Sequence, residues 1–320
     1  MEDSYVYYHL RRRATDEQVL RRVQFSGRGK DQDQMDDVLI WCYRKFGPTA
    51  RKLGIQRPAR RVYEWLASHR YPSGALCSAV LNGRIWKLRR DVAERGELEE
   101  FGTVEWLRQV VRPGMTVIDI GANVGQMTLE IGALVGPSGR VIAIEPGAGN
   151  LEYLRQHVDG NGFANRVTII EAACSSEDGG EIAFFVATPS GELSAVGNGH
   201  NILSAEVITK QAPNLQTRET RVPRVSLDGL CRRLGIVPAV IKIDVEGAEI
   251  LVLKGAEDVL RRMRPQVRVG FHPFAFQSAS VASAELFALA EEAGYRLDGV
   301  SMGDTMGLAE YNLIPDKAHR

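Results

Sequence analysis

The sequence has few of the features that mark secreted or membrane-spanning proteins. Its four cysteines, Cys42, Cys77, Cys174 and Cys231, are far apart and form no CxxC pair, so we expect free thiols in a reducing compartment. No run approaches the roughly 18 apolar residues of a membrane span, and the start of the chain has no apolar signal-peptide core. These absences predict a soluble, cytoplasmic protein with no membrane partner.

The chain also lacks an excess of either charge. Its 40 Lys and Arg residues equal its 40 Asp and Glu residues, and the mildly basic N-terminal third has acidic residues interspersed among the basic ones. A nucleic-acid-binding protein is expected to have a clustered basic surface. The balance therefore favours a small-molecule partner over DNA or RNA. A hydrophobic content of 44% is sufficient for a folded core.

Hydrophobic periodicity divides the chain into two parts. Residues 1–78 predict a helical N-terminal extension, because apolar residues recur there at helical spacing. Residues 79–320 predict one α/β domain, which opens with a β-hairpin around Asn82-Gly83. Short β-branched runs then alternate with amphipathic helices, which indicates a mostly parallel sheet with helices on both faces. A two-stranded excursion interrupts this alternation between residues 181 and 226.

The turn after the first predicted strand, in VIDIGANVGQ at residues 117–126, is the clearest sign of a ligand site. Gly121 and Gly125 permit a tight turn and a close backbone approach at the start of a helix. A dinucleotide-binding turn would read GxGxxG, but Asn123 occupies the middle glycine position and Asp119 precedes the loop. A carboxylate there would repel phosphates and suits a ligand with a cationic amino-acid end.

The second strand ends at Glu145, where a carboxylate can accept hydrogen bonds from both ribose hydroxyls. Nicotinamide enzymes place an acid similarly, so Glu145 alone does not distinguish a dinucleotide from another ligand that contains ribose. Together with Asp119 and the glycine turn, it favours S-adenosylmethionine (SAM) over a dinucleotide.

A third charged segment is IKIDVEGAE, at residues 241–249. With a period of two, Lys242, Asp244 and Glu246 share one face of a central strand. Burying these charges costs free energy unless they are paired or contact a ligand. We therefore predict that Asp244 and Glu246 belong to the site. Lys242 either belongs to the site or forms a structural ion pair with Asp119 or Asp244.

The combination of VIDIGANVGQ, VIAIEPGAGN, VSLDGL and IKIDVEGAE resembles the FkbM family of SAM-dependent methyltransferases over about residues 79–315. The resemblance implies a class I Rossmann-like methyltransferase fold with a mostly parallel seven-stranded sheet. It also implies O-methylation of a hydroxyl on a sugar, a polyketide or another biosynthetic product. The implied cofactor contacts are Asp119, Gly121, Asn123 and Gly125 at the methionine end, Glu145 at the ribose, and Ala173 with Cys174 at the adenine edge. The sequence departs from the family where an acid often lies two residues before the fifth-strand histidine, because here Gly270 precedes His272.

Methyl transfer to a hydroxyl needs an aligned acceptor and a proton acceptor. The candidates are Asp244, Glu246 and His272. We expect Asp244 to orient the acceptor and His272 to be the base, because an unperturbed imidazole titrates near neutral pH. The same three side chains offer ligands to a divalent metal ion, although no spacing demands one.

Several alternatives to a small-molecule O-methyltransferase remain at the level of sequence. They are an N-methyltransferase, a non-catalytic SAM-binding protein of the same fold, a nicotinamide dehydrogenase and a nucleic-acid methyltransferase. We expect a hydroxylated small-molecule acceptor. The N-terminal extension and the insertion at residues 188–220 are predicted to shape the acceptor pocket or a homodimer contact.

Overall fold

The computed structural model describes residues 42–43, 45–50, 52–53, 55–72, 74–95, 101–188, 201–202, 216–276, 278–300 and 309–316. Residues 1–41 of the predicted extension and most of the insertion at residues 188–220 lie outside this set. The described part of the extension is largely helical and ends in α1, Gln56–Arg70.

The elements of the remaining chain alternate strands with helices as the periodicity predicts. In chain order they are β1 (Leu76–Leu81), β2 (Arg84–Arg89), α2 (Arg90–Arg95), α3 (Phe101–Val110), β3 (Thr116–Ile120), α4 (Gln126–Val135), β4 (Arg140–Ile144), α5 (Ala148–Gly160), β5 (Val167–Ile170), β6 (Ala173–Cys174), β7 (Glu181–Thr188), β8 (Asn201–Ile202), β9 (Gln216–Val225), α6 (Leu227–Leu234), β10 (Val240–Asp244), α7 (Glu249–Lys254), β11 (Gln266–Phe271), α8 (Ala279–Glu292), β12 (Tyr295–Val300) and β13 (Ala309–Pro315). A π-helical turn, Val259–Met263, and a 3₁₀ turn, Pro273–Ala275, flank β11.

Seven strands form one sheet in the order β12-β13-β11-β10-β3-β4-β5. Strand β13 is antiparallel to both of its neighbours, and the other adjacent pairs are parallel. The chain order reverses next to β3, so the carboxyl ends of β3, β4 and β10 surround the point where open α/β sheets bind ligands. The predicted class I Rossmann-like fold, with its mostly parallel seven-stranded sheet, is confirmed.

Alternate residues of the central strands pack into two separate cores. Ile118 of β3 packs with residues of α6, α7 and α8, whereas Val117 of the same strand packs with residues of α3, α4 and α5. Successive side chains of a strand point to opposite faces, so helices cover both sides of the sheet. Asp119, Lys242 and Asp244 are on the same face as Val117, beneath α3, α4 and α5.

The predicted hairpin and the predicted two-stranded excursion are both present. Strands β1 and β2 pair antiparallel around Asn82 and Gly83, whose φ angles of 53° and 73° are those of a turn that suits Asn-Gly. Strand β1 begins at Leu76, so it crosses the predicted boundary between residues 78 and 79. Strands β7 and β9 pair antiparallel in a separate small sheet with β6 and β8.

Candidate active site

The loop after β3 lies between the ends of two neighbouring strands, β4 and β10. The backbone N–H groups of Gly121 and Ala122 both donate to the carbonyl of Ile144, at 3.0 Å. Gly121 has a φ of +76°, and a Cβ at this position would lie 1.8 Å from the carbonyl oxygen of Asp244. Only glycine fits such a conformation and such a gap. The close approach joins the predicted cofactor loop, residues 121–125, to the end of β10.

Glu145 holds this loop from the neighbouring strand. Its Oε2 accepts a hydrogen bond from the backbone N–H of Asn123 at 2.8 Å, and its Oε1 accepts from Gly147 N and Asn150 Nδ2 at 2.9 and 3.0 Å. Burial raises the pKa of the Glu145 carboxyl, and the three donors oppose that rise. Asn123 itself has a φ of 52°, a left-handed conformation that asparagine tolerates.

Lys242 of β10 forms ion pairs with two carboxylates, Asp119 on the neighbouring strand β3 and Asp244 on its own strand. Its Nζ lies 3.3 Å from Asp244 Oδ2 and 3.7 Å from Asp119 Oδ1. Asp119 is fully buried, and its Oδ2 accepts a hydrogen bond from Thr128 Oγ1 at 2.6 Å. Both ion pairs that the sequence offered for Lys242 are therefore present.

His272 lies between two acidic side chains at the carboxyl end of β11. Its Nδ1 is 2.8 Å from Glu249 Oε1, and its Nε2 is 3.7 Å from Asp244 Oδ1. Burial by itself would lower the pKa of the imidazole, but the hydrogen bond to Glu249 and the charges of Asp244, Glu249 and Glu246 raise that pKa to about 9. His272 is thus mainly an imidazolium at neutral pH.

Asp244 is a partly exposed carboxylate of this group, with 28% of its side chain exposed. Burial by itself would raise the pKa of the Asp244 carboxyl, but Lys242 and His272 hold that pKa below its ordinary value. Gly270 is its neighbour on β11, and a Cβ there would lie 3.3 Å from Asp244 Oδ1. The missing side chain at Gly270, where the family often has an acid, leaves space beside the carboxylate.

Glu249 is a site residue that the sequence reasoning did not single out. It opens α7, is fully buried, and its Oε1 also accepts from the backbone N–H of Gly247 at 2.9 Å. Its Oε2 has no hydrogen-bond partner among the described residues. The signal for Glu249 was the third acid in IDVEGAE, but its helical position gave no reason to pair it with His272.

Glu246 departs from the predicted strand geometry. Strand β10 ends at Asp244, and Glu246 has a φ of 50° in the turn that follows. The alternation therefore stops before Glu246, so the predicted strand face is shared by Lys242 and Asp244 and does not extend to Glu246. Its charge nevertheless acts on both His272 and Glu145, which places it within the cluster.

Most of the predicted site residues come together in the charged cluster, whereas Ala173 and Cys174 pack with apolar residues. Cys174 is buried in the hydrophobic core with Leu230 and Cys231, and burial raises the pKa of its thiol to about 12. Ala173 packs with Phe184 and other apolar residues of the small sheet. Their assignment to the adenine edge stays a prediction, and the Cys174 thiol is placed for packing.

The cluster carries an excess of negative charge. Five carboxylates, Asp119, Glu145, Asp244, Glu246 and Glu249, accompany the two cations Lys242 and His272. Such a site favours a cationic ligand and opposes an anionic one. Within the described ranges, no group of three or more His, Cys, Asp or Glu side chains is arranged to hold a metal ion.

Two further features concern the surroundings of the site. A cavity of about 140 Å³ lies between residues 146–150, after Glu145, and side chains of β7 and β9. None of the helices in the described part of the chain has the length and apolar character needed to cross a membrane.

A known protein family matches the part of the chain that holds the charged cluster. The model of the methyltransferase FkbM domain matches residues 119–297, which is more than half of the chain. No curated protein matches the chain.

Three solved structures with similarity to the chain are distant from it in sequence. They include methyltransferase FkbM from Methylobacillus flagellatus KT, at 16% identity over 65% of this chain and 50% of that chain with a TM-score of 0.42. A putative rRNA-methylase from Clostridium thermocellum aligns at 10% identity over 67% of this chain and 95% of that chain, with a TM-score of 0.43. A SAM-dependent O-methyltransferase from Thermotoga maritima aligns at 12% identity over 72% and 71% of the two chains, with a TM-score of 0.42. The chain thus spans about half the length of the Methylobacillus flagellatus protein.

Proposed function

Because the chain belongs to the FkbM family and is a SAM-dependent methyltransferase, we propose that it methylates a hydroxyl group of a small biosynthetic product, such as a sugar, a glycoside or a polyketide. The observation that carries this proposal is the ionised Asp244 carboxylate, which is partly exposed and lies directly beside the cofactor loop. A carboxylate in this position can accept the hydrogen bond, and then the proton, of an acceptor hydroxyl.

The residues of the site fit the cofactor. Its sulfonium and ammonium groups are cationic, and the surplus of carboxylates over Lys242 and His272 complements them. Glu145 Oε2 accepts one hydrogen bond from the described residues, and a carboxylate oxygen can accept a second, here from a ribose hydroxyl. Bound SAM supplies an electrophilic methyl group on a good leaving group.

The raised pKa of His272 changes the division of roles that the sequence suggested. An imidazolium has no lone pair for a proton, so at neutral pH the proton of the acceptor hydroxyl goes to Asp244. Asp244 is a weak base, but a hydroxyl oxygen becomes strongly acidic as its bond to the methyl group forms. Lys242 and His272 hold the carboxylate in place from two sides, and this orientation accounts for much of the rate.

The proposal is tested with full-length protein and radiolabelled SAM against a panel of sugars, glycosides and polyketide alcohols. Asp244→Asn should retain binding of S-adenosylhomocysteine (SAH) in isothermal titration calorimetry and lose at least about a hundredfold in transfer rate. Asp159→Asn, at an exposed aspartate near the end of α5, is the matched control and should transfer at the wild-type rate.

The same assay separates the competing functions. Transfer to amines but not to hydroxyls would establish an N-methyltransferase. SAH binding without transfer to any acceptor would leave a non-catalytic SAM-binding protein. Equal transfer by Asp244→Asn and wild type would remove Asp244 from the mechanism.

The expected partners are part of this proposal. A hydroxylated small molecule as acceptor, no nucleic-acid or membrane partner, a cytoplasmic location and a homodimer contact all come from the sequence. Light scattering would report the oligomeric state. RNA binding that persists at high salt would contradict the small-molecule assignment.

A further inference from the structure

We propose that His157 is a positioning residue that fixes the cofactor loop, residues 121–125, to the hairpin β1–β2. The inference rests on the assignment of SAM to this loop and goes beyond the residues that would touch cofactor or acceptor. It concerns a histidine on α5 that no motif singled out.

His157 is fully buried and contacts the backbone of two separate segments. Its Nδ1 lies 2.6 Å from the carbonyl oxygen of Val124, inside the cofactor loop. Its Nε2 lies 2.9 Å from the backbone nitrogen of Arg89, on β2. An N–H group can only donate, so Nε2 must accept from Arg89, and the ring hydrogen must then sit on Nδ1 and be donated to Val124. One neutral tautomer satisfies both contacts.

The surroundings of His157 favour this neutral form. Burial lowers the pKa of the imidazole to about 4, against the opposing effects of the Val124 carbonyl and Asp91. The nearby Arg89 guanidinium lowers it further. The ring is therefore uncharged at neutral pH and can act as both donor and acceptor.

The Val124 carbonyl is a sensitive point of the loop. On one side Asn123 has a left-handed backbone and donates to Glu145, and on the other side Gly125 has a φ of +93°. The N–H of the peptide between Val124 and Gly125 donates to the carbonyl of Ala122 at 2.8 Å, within the loop. Glycine allows many backbone conformations, so a contact from outside the loop to the carbonyl of this peptide further restricts its orientation. Gly125 is also the N-cap of α4 and has no side-chain cap. His157 provides that contact.

Asn161 offers a comparison one helical turn further along. Its Oδ1 accepts from the backbone N–H of Lys87 at 2.9 Å, and its Nδ2 donates to the carbonyl of Lys87 at 2.8 Å. Asn161 and His157 thus bind the same edge of β2 through alternate residues. Asn161 also donates to the backbone carbonyl of His157 at 2.7 Å and makes no bond to its ring, whereas the ring of His157 joins the hairpin to the cofactor loop.

Two substitutions separate the two contacts of His157. The side-chain amide of Asn reaches about as far as Nδ1 of histidine, and that of Gln reaches about as far as Nε2. His157→Asn should therefore keep the donor to Val124 and lose the acceptor for Arg89, whereas His157→Gln should do the reverse. A lost hydrogen bond that leaves a buried group unpaired weakens binding by about tenfold when that group sets the loop geometry.

The measurement is SAH binding to the full chain by calorimetry, with thermal unfolding alongside. We expect both His157 variants to unfold at a lower temperature, His157→Gln to bind SAH about tenfold more weakly, and His157→Asn to bind within about threefold of wild type. Asn161→Ala, the matched control, should unfold at a lower temperature and bind SAH as wild type does.

Equal SAH affinity in the two His157 variants, or weakened binding in Asn161→Ala of the same size as in His157→Gln, would overturn the proposal. A wild-type protein that does not bind SAH would instead refute the cofactor assignment on which it rests. The ¹⁵N spectrum of the wild-type imidazole is a second test that no folding defect can obscure. Protonation at Nδ1 is expected at neutral pH, and protonation at Nε2 would contradict the hydrogen bond to Val124.

Discussion

Nδ1 of His272 lies 2.8 Å from Oε1 of Glu249, and both side chains are buried. The hydrogen bond joins the end of β11 to the start of α7, so it sets the orientation of the imidazole toward Asp244. A buried ion pair of this kind is stable only while both partners keep their charges. The protonation state of His272 therefore depends on Glu249.

Replacing Glu249 with Gln should lower the pKa of His272. The amide can still accept a hydrogen bond but no longer carries the charge that favours the imidazolium, so we expect a fall of about one pH unit or more. NMR titration of the His272 ring measures it. Glu285→Gln, at a partly exposed glutamate paired with Lys254, is the control and should leave the titration unchanged, and an unchanged midpoint in Glu249→Gln would show that the charge of Glu249 is not the cause.

The stability of the fold should decrease at alkaline pH because of His272. Its pKa is about 9 in the folded protein and 6.5 for an ordinary histidine, so the folded state binds the proton more tightly. This contribution is complete below pH 6.5 and is lost as the pH rises from 6.5 through 9. Urea unfolding across that range should give a decline that is shallower in His272→Gln, and parallel curves for the two proteins would contradict it.

Gly121→Ala should prevent SAH binding and destabilise the fold strongly. A Cβ at Gly121 would lie 1.8 Å from a backbone oxygen of Asp244, so the loop or the end of β10 must move, at a cost of about 3 kcal/mol or more. Gly162 has a similar φ of +71° and nothing within 4 Å of its would-be Cβ. Gly162→Ala should therefore cost only about 1 kcal/mol, and similar losses in the two variants would mean that the contact with Asp244 is unimportant.

Lys242→Met should destabilise the protein by about 3 kcal/mol, because it leaves the fully buried carboxylate of Asp119 without its cation and leaves Asp244 with His272 alone. Lys254→Met removes an exposed ion pair with Glu285 and should change the unfolding free energy by less than about 1 kcal/mol. Chemical denaturation measures both. A Lys242→Met variant as stable as wild type would show that water or a shifted proton compensates the two acids.

Much of the fold could be predicted because its signals are local. The Asn82-Gly83 turn sets the hairpin within a few residues, and each of the β-branched runs that form β3, β4 and β10 can be recognised without reference to the others. The cofactor loop was also predictable, because Gly121 and Asp119 are adjacent to a strand end and parallel strands bring their carboxyl ends to one edge.

The electrostatic character of the site depends on distant residues and could not be predicted in the same way. Glu249 and His272 are 23 residues apart, and the packing of α7 and the end of β10 beside β11 brings together the carboxylates that raise the pKa of this histidine. His157 is 33 residues from Val124 and 68 from Arg89, and nothing in its helix distinguishes it from a core residue.

Strand β13 has a consequence for the synthesis of the protein. It is the last strand of the described residues, yet it lies between β11 and β12 inside the sheet, and its Glu310 pairs with the buried Arg268 of β11. During translation, Arg268 emerges from the ribosome 42 residues before its counter-ion. Until then, β11 has an open edge and an uncompensated guanidinium, a state prone to misassociation. Pairing of β13 with β11 therefore closes that edge and brings Glu310 to Arg268 at the same time.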